Sequence, residues 1–339
     1  MSARNSLDLR RLESLLNRFD RLHLLVAGDV LLDEYLVGDV DRISPEAPVP
    51  VVHVQSESLA LGGAGNVVRN VRALGAGCTF CSSVGTDSEG DALLGLLEAL
   101  DVSSEGIERV DGRPTTRKSR IVARSQQIVR VDRETHEPIP AAIARKLIRT
   151  TEAAAARVDG AILEDYGKGL FTRATIRKLM QTLAAAKVPV AVDPKGDLSP
   201  FKGAALVKPN LREAEELAGI RMRESRDLDR IAARLRSKLG GGAIAITRGG
   251  DGMSLYDESA KRIDVPTPKR EVFDVQGAGD TTIAALVLAL RAGARLREAA
   301  VIANAAAGTV IGKVGTATAS RDEVLAALPS AIEAAEAER

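Results

Sequence analysis

Asp280 lies near the end of the stretch Phe273-Asp274-Val275-Gln276-Gly277-Ala278-Gly279-Asp280-Thr281-Thr282. An apolar run from about Ile283 to Leu290 follows it and reads as a helix. Gly277, Ala278 and Gly279 carry no side chain that would keep a ligand off the backbone, and glycine takes positive φ freely. Their N–H groups fall just ahead of a helix start, where unpaired donors and the helix dipole favour an anion. Asp280 then lies in the first turn. A carboxylate there suits removal of a proton from a hydroxyl while the amides hold a phosphoryl group in flight. The same spacing also fits a plain Gly-rich turn with Asp280 as a helix-start acid.

Other polar groups gather where strands end. Asp29 and Asp33 follow an apolar strand from Leu22 to Ala27, and each either binds polyol hydroxyls or caps a turn. Leu61-Gly62-Gly63-Ala64-Gly65-Asn66 opens a helix reaching about Leu74, with small residues for close approach and Asn66 as donor and acceptor. Later strand ends carry Glu164-Asp165-Tyr166-Gly167-Lys168-Gly169, Asp193-Pro194-Lys195 and Lys208-Pro209-Asn210. Asn210 and Glu213 have capping-box spacing, which that spacing alone favours. The same pair also suits the water shell of a Mg²⁺ ion beside a phosphate. Thr247, Gly249 and Gly252 belong to a β-hairpin with a Gly-rich turn that can lay backbone against a nucleotide. The small-residue helix from Asn304 to Gly308 suits a flat ligand.

The elements that must position these groups alternate. After Ile139 come a helix to Ala156, a strand Gly160–Leu163, a helix Thr172–Ala186, strands Pro189–Val192 and Ala205–Val207, and a helix Leu211–Ala218. That order predicts an α/β fold with a doubly wound, mainly parallel sheet. Two segments stand outside it. Residues 36–55 alternate but carry Pro45, Pro48 and Pro50, so they read as an edge strand or flap. Residues 113–133 read as a two-stranded ribbon bearing Arg113, Arg117, Lys118, Arg120, Arg124, Arg130 and Arg133, which suggests a lid facing an anionic substrate. No linker or repeat divides the chain, so 1–339 is expected to be one domain. An amphipathic surface helix precedes the first strand, and a polar helical end follows Pro329.

Composition narrows the function classes. Lys+Arg 47 against Asp+Glu 46 leaves a net charge of +1, which argues against nucleic acid or membrane surfaces as partners. Trp is absent and aromatics make up 2%, so base-stacking platforms are not expected. No apolar run of membrane-spanning length and no signal-peptide core occur, which points to the cytoplasm. Cys78 and Cys81 lie three apart on one strand, hence on opposite faces, and read as structural thiols. The spacing Gly62-Gly63-Ala64-Gly65 does not fit a dinucleotide fingerprint. Gly308-Thr309-Val310-Ile311-Gly312-Lys313-Val314 is one residue short of a Walker loop and lacks its Ser/Thr.

Taken together, Gly62–Asn66, Asp274–Asp280 and Asn210-x-x-Glu213 resemble the signatures of the ribokinase-like (PfkB) sugar kinases across residues 20 to 330. Gly28–Asp33, Arg42–Val52, Asp165–Gly169 and Val192–Lys195 resemble motifs of the D-glycero-β-D-manno-heptose 7-phosphate kinase group. Gln276 departs from the usual Thr or Ser, and little effect is expected because its side chain lies outside the amide cradle. The chain ends before any fused nucleotidyltransferase, so it resembles the stand-alone kinase.

The resemblance implies ATP- and Mg²⁺-dependent phosphorylation of the sugar phosphate at O1, for ADP-heptose and lipopolysaccharide inner-core synthesis. Asp280 would be the base and Gly277–Gly279 the phosphoryl cradle. Asp29, Asp33, Gly62, Gly63, Asn66, Arg120, Arg124, Glu164, Lys168 and Lys195 would hold the sugar phosphate. Lys208, Asn210, Glu213, Thr247, Gly249, Gly252 and Asn304 would hold the nucleotide, with Asn210 and Glu213 organising Mg²⁺ through water. The flap and ribbon resemble a β-clasp through which such kinases form homodimers. The alternatives are a kinase for another sugar, such as ribose or a fructose phosphate, and a nucleotide- or sugar-binding regulator without turnover.

Overall fold

The computed structural model of the chain describes residues 7–124, 126–268, 273–313 and 315–337. Ser125 of the basic ribbon and Val314 of the Walker look-alike lie outside the described residues. The strands are β1 His23–Gly28, β2 Val30–Ile43, β3 Pro50–Gly63, β4 Gly77–Gly85, β5 Ile107–Val110, β6 Arg117–Ala123, β7 Gln126–Arg133, β8 Gly160–Glu164, β9 Val190–Asp193, β10 Leu206–Val207, β11 Ala243–Thr247, β12 Met253–Tyr256 and β13 Arg262–Val265.

Among the described residues they form two sheets. The larger has the order β13-β12-β11-β10-β9-β8-β1-β4-β5. It is parallel from β11 to β5, and β12 and β13 close one edge antiparallel. This is the doubly wound sheet expected from the alternation of elements. Its strands are short apolar runs because both faces are covered. Leu24, Val26, Ile162 and Ala245 pack on one side with the helices Ala64–Ala73, Ala278–Arg291 and Leu296–Val310. Leu25, Ala27, Leu163 and Ile246 pack on the other with Ala141–Ala155, Arg173–Ala185 and Ser225–Leu239. Each such buried Leu or Ile stabilises the fold by about 1.5–3 kcal/mol relative to exposure. Cys78 joins the first core and Cys81 the second, so the two thiols do face opposite ways. Burial pushes both up, Cys78 to about 12 and Cys81 to about 11, which suits inert structural thiols.

The chain passes from β1 to β4 on one side of the sheet and returns to β8 on the other. That strand reversal opens a crevice beyond the carboxyl ends of β1 and β8. Gly28 pairs with Glu164 there, and a Cβ on Gly28 would come within 2.3 Å of the Glu164 carbonyl oxygen. Only glycine lets the two strand ends close so tightly.

The smaller sheet, β3-β2-β6-β7, stands over that crevice. The sequence predicts a flap and a separate ribbon. Instead β2 pairs with β6 in parallel, so the two hairpins form one four-stranded lid. The first hairpin is also longer than expected, because β2 starts at Val30 and β3 runs to Gly63. Its prolines obey the edge rule. Pro45 and Pro48 sit in the turn, and Pro50 begins the edge strand β3. A second difference lies at the C-terminal end. One helix, Arg321–Ala337, runs straight through Pro329 instead of starting after it. Val324, Leu328 and Ala331 are buried against the core and offset the cost of an interior proline. Among the described residues no helix is long and apolar enough to cross a membrane.

Candidate active site

The helix Ala278–Arg291 begins where the glycines predict, and Asp280 lies in its first turn. Gly277 caps it with φ of 75°. A Cβ at Gly277 would sit 2.6 Å from Asn66 Nδ2, so both backbone and space demand glycine. Beneath the turn, Lys208 Nζ lies 3.7 Å from the place a Cβ on Gly279 would occupy.

Asp280 is 6% exposed. Its Oδ2 accepts from Asn66 Nδ2 at 2.7 Å and its Oδ1 accepts from the Tyr166 hydroxyl at 2.9 Å. Burial pushes its carboxyl up to about 6, against the two hydrogen bonds that favour the ionised form. A base with that value is ionised at neutral pH yet still attracts a proton.

Asp280 stands where two cavities meet. One encloses about 550 Å³ and the other about 340 Å³, and both are lined by Tyr166, Lys195, Gly277 and Asp280.

The larger cavity gathers Thr247, Gly249, Gly252, Asn304, Asn210 and Glu213. Asn304 is buried and donates to the carbonyls of Val265 and Pro266 at 3.0 and 3.1 Å, which fixes its edge of the wall. Asn210 and Glu213 form the capping box that their spacing favoured, with bonds of 2.9 and 3.0 Å. Glu213 Oε1 remains 3.9 Å from Lys195 Nζ. Lys208 is buried and pairs with Asp193 at 2.6 Å. Burial alone would lower its ammonium, but Asp193 and Glu164 raise it past its ordinary value, so it stays charged. Glu164, expected on the sugar side, lines this cavity instead. It is 2% exposed, and its Oε2 has no hydrogen-bond partner among the described residues. Burial first, then the charges of Asp193 and Asp280, push its carboxyl well above the usual range.

The smaller cavity lies under the lid. Asp33, Gly63, Lys118, Arg120, Arg130 and Lys168 line it with Lys195. Its cations are held in place by carboxylates. Arg120 pairs with Asp33 at 2.6 Å, Lys168 with Glu134 at 2.7 Å, Arg130 with Asp132 at 2.8 Å and Lys118 with Asp132 at 3.1 Å. Arg120 Nε is buried with no hydrogen-bond partner among the described residues, leaving a donor for an anion.

Four expected sugar ligands have other tasks. Asp29 accepts from the amides of Tyr166, Lys168 and Leu170 at 3.0 to 3.1 Å, so its carboxylate anchors the loop after β8. Asn66 is fully buried and holds Asp280. Gly62 makes room for Asp33, whose Oδ2 a Cβ would meet at 2.2 Å. Arg124 sits beyond the end of β6 with φ of 50° and bonds the Val40 carbonyl, outside both cavities. Sequence reasoning also passed over Tyr166, Asp193, Gln276 and Thr316 as site residues. Tyr166 and Asp193 were inside polar strand-end loops already singled out, whereas nothing local marks Thr316.

A glycine-rich helix start, a buried carboxylate and two abutting cavities suit the transfer of a charged group between two small molecules. The match to pfkB family carbohydrate kinase, over residues 22–323, agrees with this. The chain is 44% identical over 323 residues to the "Bifunctional protein HldE" of Pelobacter propionicus, covering 95% of this chain and 66% of that protein. It is also 44% identical over 311 residues to the protein of the same name from Desulfatibacillum aliphaticivorans, covering 91% and 64%. The chain thus spans somewhat under two thirds of the length of these relatives.

Solved structures share the fold, two of them as follows. Arabidopsis thaliana ribokinase complexed with ribose and ATP has a TM-score of 0.71 at 19% identity, covering 91% of this chain and 98% of that one. Escherichia coli phosphofructokinase-2 in complex with potassium has a TM-score of 0.75 at 20% identity, covering 91% and 99%. The chain belongs to the pfkB family of carbohydrate kinases and is a sugar kinase.

Proposed function

We propose that this kinase transfers the γ-phosphoryl group of ATP to O1 of D-glycero-β-D-manno-heptose 7-phosphate. The product is the 1,7-bisphosphate, a precursor of ADP-heptose for the lipopolysaccharide inner core. One observation carries the choice of a phosphorylated sugar. The smaller cavity is lined by five cations, Lys118, Arg120, Arg130, Lys168 and Lys195, together with Asp280. Carboxylates brace four of them but leave Arg120 Nε without a partner among the described residues, and a sugar phosphate brings the anion that an unphosphorylated sugar lacks. A fructose phosphate is the second reading that these cations favour.

In this reading ATP fills the larger cavity and the sugar the smaller. Asp280 takes the O1 proton, the O1–P bond forms, and the bond from that phosphorus to the β-phosphate oxygen breaks, releasing ADP. Each Asp280 oxygen already accepts one hydrogen bond, and a carboxylate offers about four acceptor sites, so room for the substrate hydroxyl remains. The amides of Gly277 and Gly279 stabilise charge on the group in transfer, while the Ala278 amide already donates to the Val275 carbonyl at 3.3 Å. Lys208 lies just below them as a fixed positive charge.

Among the described residues no group of three or more His, Cys, Asp or Glu could hold a metal directly. Mg²⁺ usually keeps several waters and the substrate's phosphates as ligands, so one or two carboxylates suffice. Glu164 Oε2, without a partner among the described residues, fits such a loosely held ion together with Glu213 and Asn210. Bound there, Mg²⁺ would supply charge neutralisation along the phosphates.

We also place the enzyme in the cytoplasm as a homodimer. The outer face of the lid exposes Val49, Val54, Ile128, Val129 and Val131, an apolar surface suited to a second copy.

ADP release with Mg·ATP tests the substrate. Heptose 7-phosphate, unphosphorylated heptose, fructose 6-phosphate and ribose are compared. Turnover confined to heptose 7-phosphate is expected. Comparable kcat/KM on fructose 6-phosphate would replace the proposed substrate, and efficient turnover of ribose would remove the role of the cations.

A further inference from the structure

Tyr35 stands on β2 of the lid, yet its hydroxyl reaches the segment that leads into the cradle. It donates to Gln276 Oε1 at 2.9 Å and accepts from the Thr316 amide at 3.2 Å. Thr316 Oγ1, 2.8 Å away, completes the set. A phenol has one proton and two acceptor sites, and all three are used when the Thr316 hydroxyl turns its proton to Tyr35 and not to Asp33 Oδ2, 3.5 Å away. Gln276 immediately precedes Gly277. Thr316 presses on the same place, because a Cβ at Gly277 would lie 3.3 Å from Thr316 Cγ2. The Thr316 turn is itself fixed by Arg69, which donates to the Thr316 carbonyl at 2.6 Å. The Gln276–Gly277 peptide is therefore clamped from the lid side by Tyr35 and Thr316, and from the helix side by Asn66.

The contact reaches the sugar cavity as well. Gln276 and Thr316 line that cavity, and the Arg120 guanidinium carbon lies 5.3 Å from the centre of the Tyr35 ring. An anion held by Arg120 and a phosphoryl group held by the cradle thus lean on one side chain. Gln276 replaces the Thr or Ser expected by resemblance, and the longer amide is what meets the tyrosine.

We propose that Tyr35 and Gln276 form a latch that fixes the amides of Gly277–Gly279 relative to the lid. Both are positioning residues, acting through the cradle and not on the reacting atoms. The proposal rests on the reading of Gly277–Gly279 as the phosphoryl cradle. It reverses the expectation that Gln276 has little effect.

Tyr35→Phe removes the hydroxyl and keeps the ring under Arg120, so the fold should persist. Gln276→Ala removes the other partner. Hydrogen–deuterium exchange of the ligand-free proteins reads the latch without any substrate, at the Gln276 and Ala278 amides, which bond Asp274 Oδ1 and the Val275 carbonyl. Exchange there should quicken about five- to tenfold in either variant, the scale of one lost hydrogen bond. With Mg·ATP and heptose 7-phosphate, kcat should fall about five- to tenfold while each KM stays within about twofold. The double variant should be no worse than the worse single one, because both remove one interaction.

Unchanged exchange overturns the latch. Faster exchange with intact kcat overturns its positioning role, as does a loss confined to the KM of the sugar or losses that multiply. If the wild type ignores heptose 7-phosphate, the substrate reading fails and the exchange result still decides the latch. A fully active Asp280→Asn variant would instead remove the base-and-cradle reading beneath it.

Discussion

The larger cavity is walled by backbone and small side chains at the ends of a sheet buried on both faces: Gly249, Gly252, Ala278, Gly279 and Gly308. The smaller one takes Lys118, Arg120 and Arg130 from β6 and β7, strands of a lid whose outer face is open to solvent. In the proposed reading, one half recognises charge with amides whose positions are set by helix and strand ends, backed by the buried Lys208. The other recognises charge with long side chains, each braced by a carboxylate. Amides cannot be retuned without moving the chain, so that half is general for a phosphate. In the proposed reading, braced cations can be exchanged one at a time, which puts substrate choice in the lid half. Asp280 belongs to neither half alone, since Asn66 of the helix after β3 and Tyr166 of the loop after β8 hold its two oxygens.

The largest expected effect lies at that junction. Asp280→Asn should lower kcat roughly a hundredfold to ten-thousandfold, the range for loss of a general base. Calorimetric ATP affinity should stay within about threefold, because the cradle amides remain. Wild-type kcat/KM should fall as pH drops below about 6, where the Asp280 carboxyl takes up a proton. A near-normal rate in the variant would sink the base assignment.

Next comes the division between the halves. Arg120→Gln should raise KM for heptose 7-phosphate at least tenfold, the scale of one charge-assisted contact, and leave KM for ATP within about twofold. Arg124→Gln, outside both cavities, should change neither. Equal losses for both ligands at Arg120 would erase the distinction between a nucleotide side and a sugar side.

The same division decides what the sequence made legible. The sheet, the glycine turn and the place of Asp280 in the first turn of its helix were readable because a glycine run, a helix start and an acid after it are local in the chain. The glycines work through backbone that neighbouring residues already specify. Side-chain tasks were not readable where the partner is remote. Asn66 and Asp280 are 214 residues apart, and Tyr35 and Gln276 are 241 apart. Nor does type separate Asp29 from Asp33. The first meets three amides of the loop after β8, while the second meets Arg120. Arg120 and Arg124 would share a face of one continuous strand, but β6 ends at Ala123 and Arg124 turns away with φ of 50°.

The smallest effect concerns stability on the nucleotide side. Glu164 is 2% exposed, and its Oε2 meets no donor among the described residues. Its folded carboxyl lies well above the ordinary value of 4.5, mainly through burial. Above that ordinary value the unfolded chain sheds a proton that the folded chain keeps. Stability is therefore fully present below about 4.5 and is lost as pH rises toward the folded value. Glu164→Gln keeps the shape but cannot titrate. Its melting temperature should match the wild type near pH 4.5 and exceed it increasingly up to pH 8. The difference in unfolding free energy should reach on the order of 1 kcal/mol, the scale of a buried polar group left without a partner. Lys208, already committed to Asp193 at 2.6 Å, is the cation that could reverse this sign. A variant less stable than wild type at pH 8 would mean that Lys208 stabilises an ionised Glu164 by more than burial costs it. The base at Asp280 would then face a second full negative charge, and its own pH limb should lie above 6.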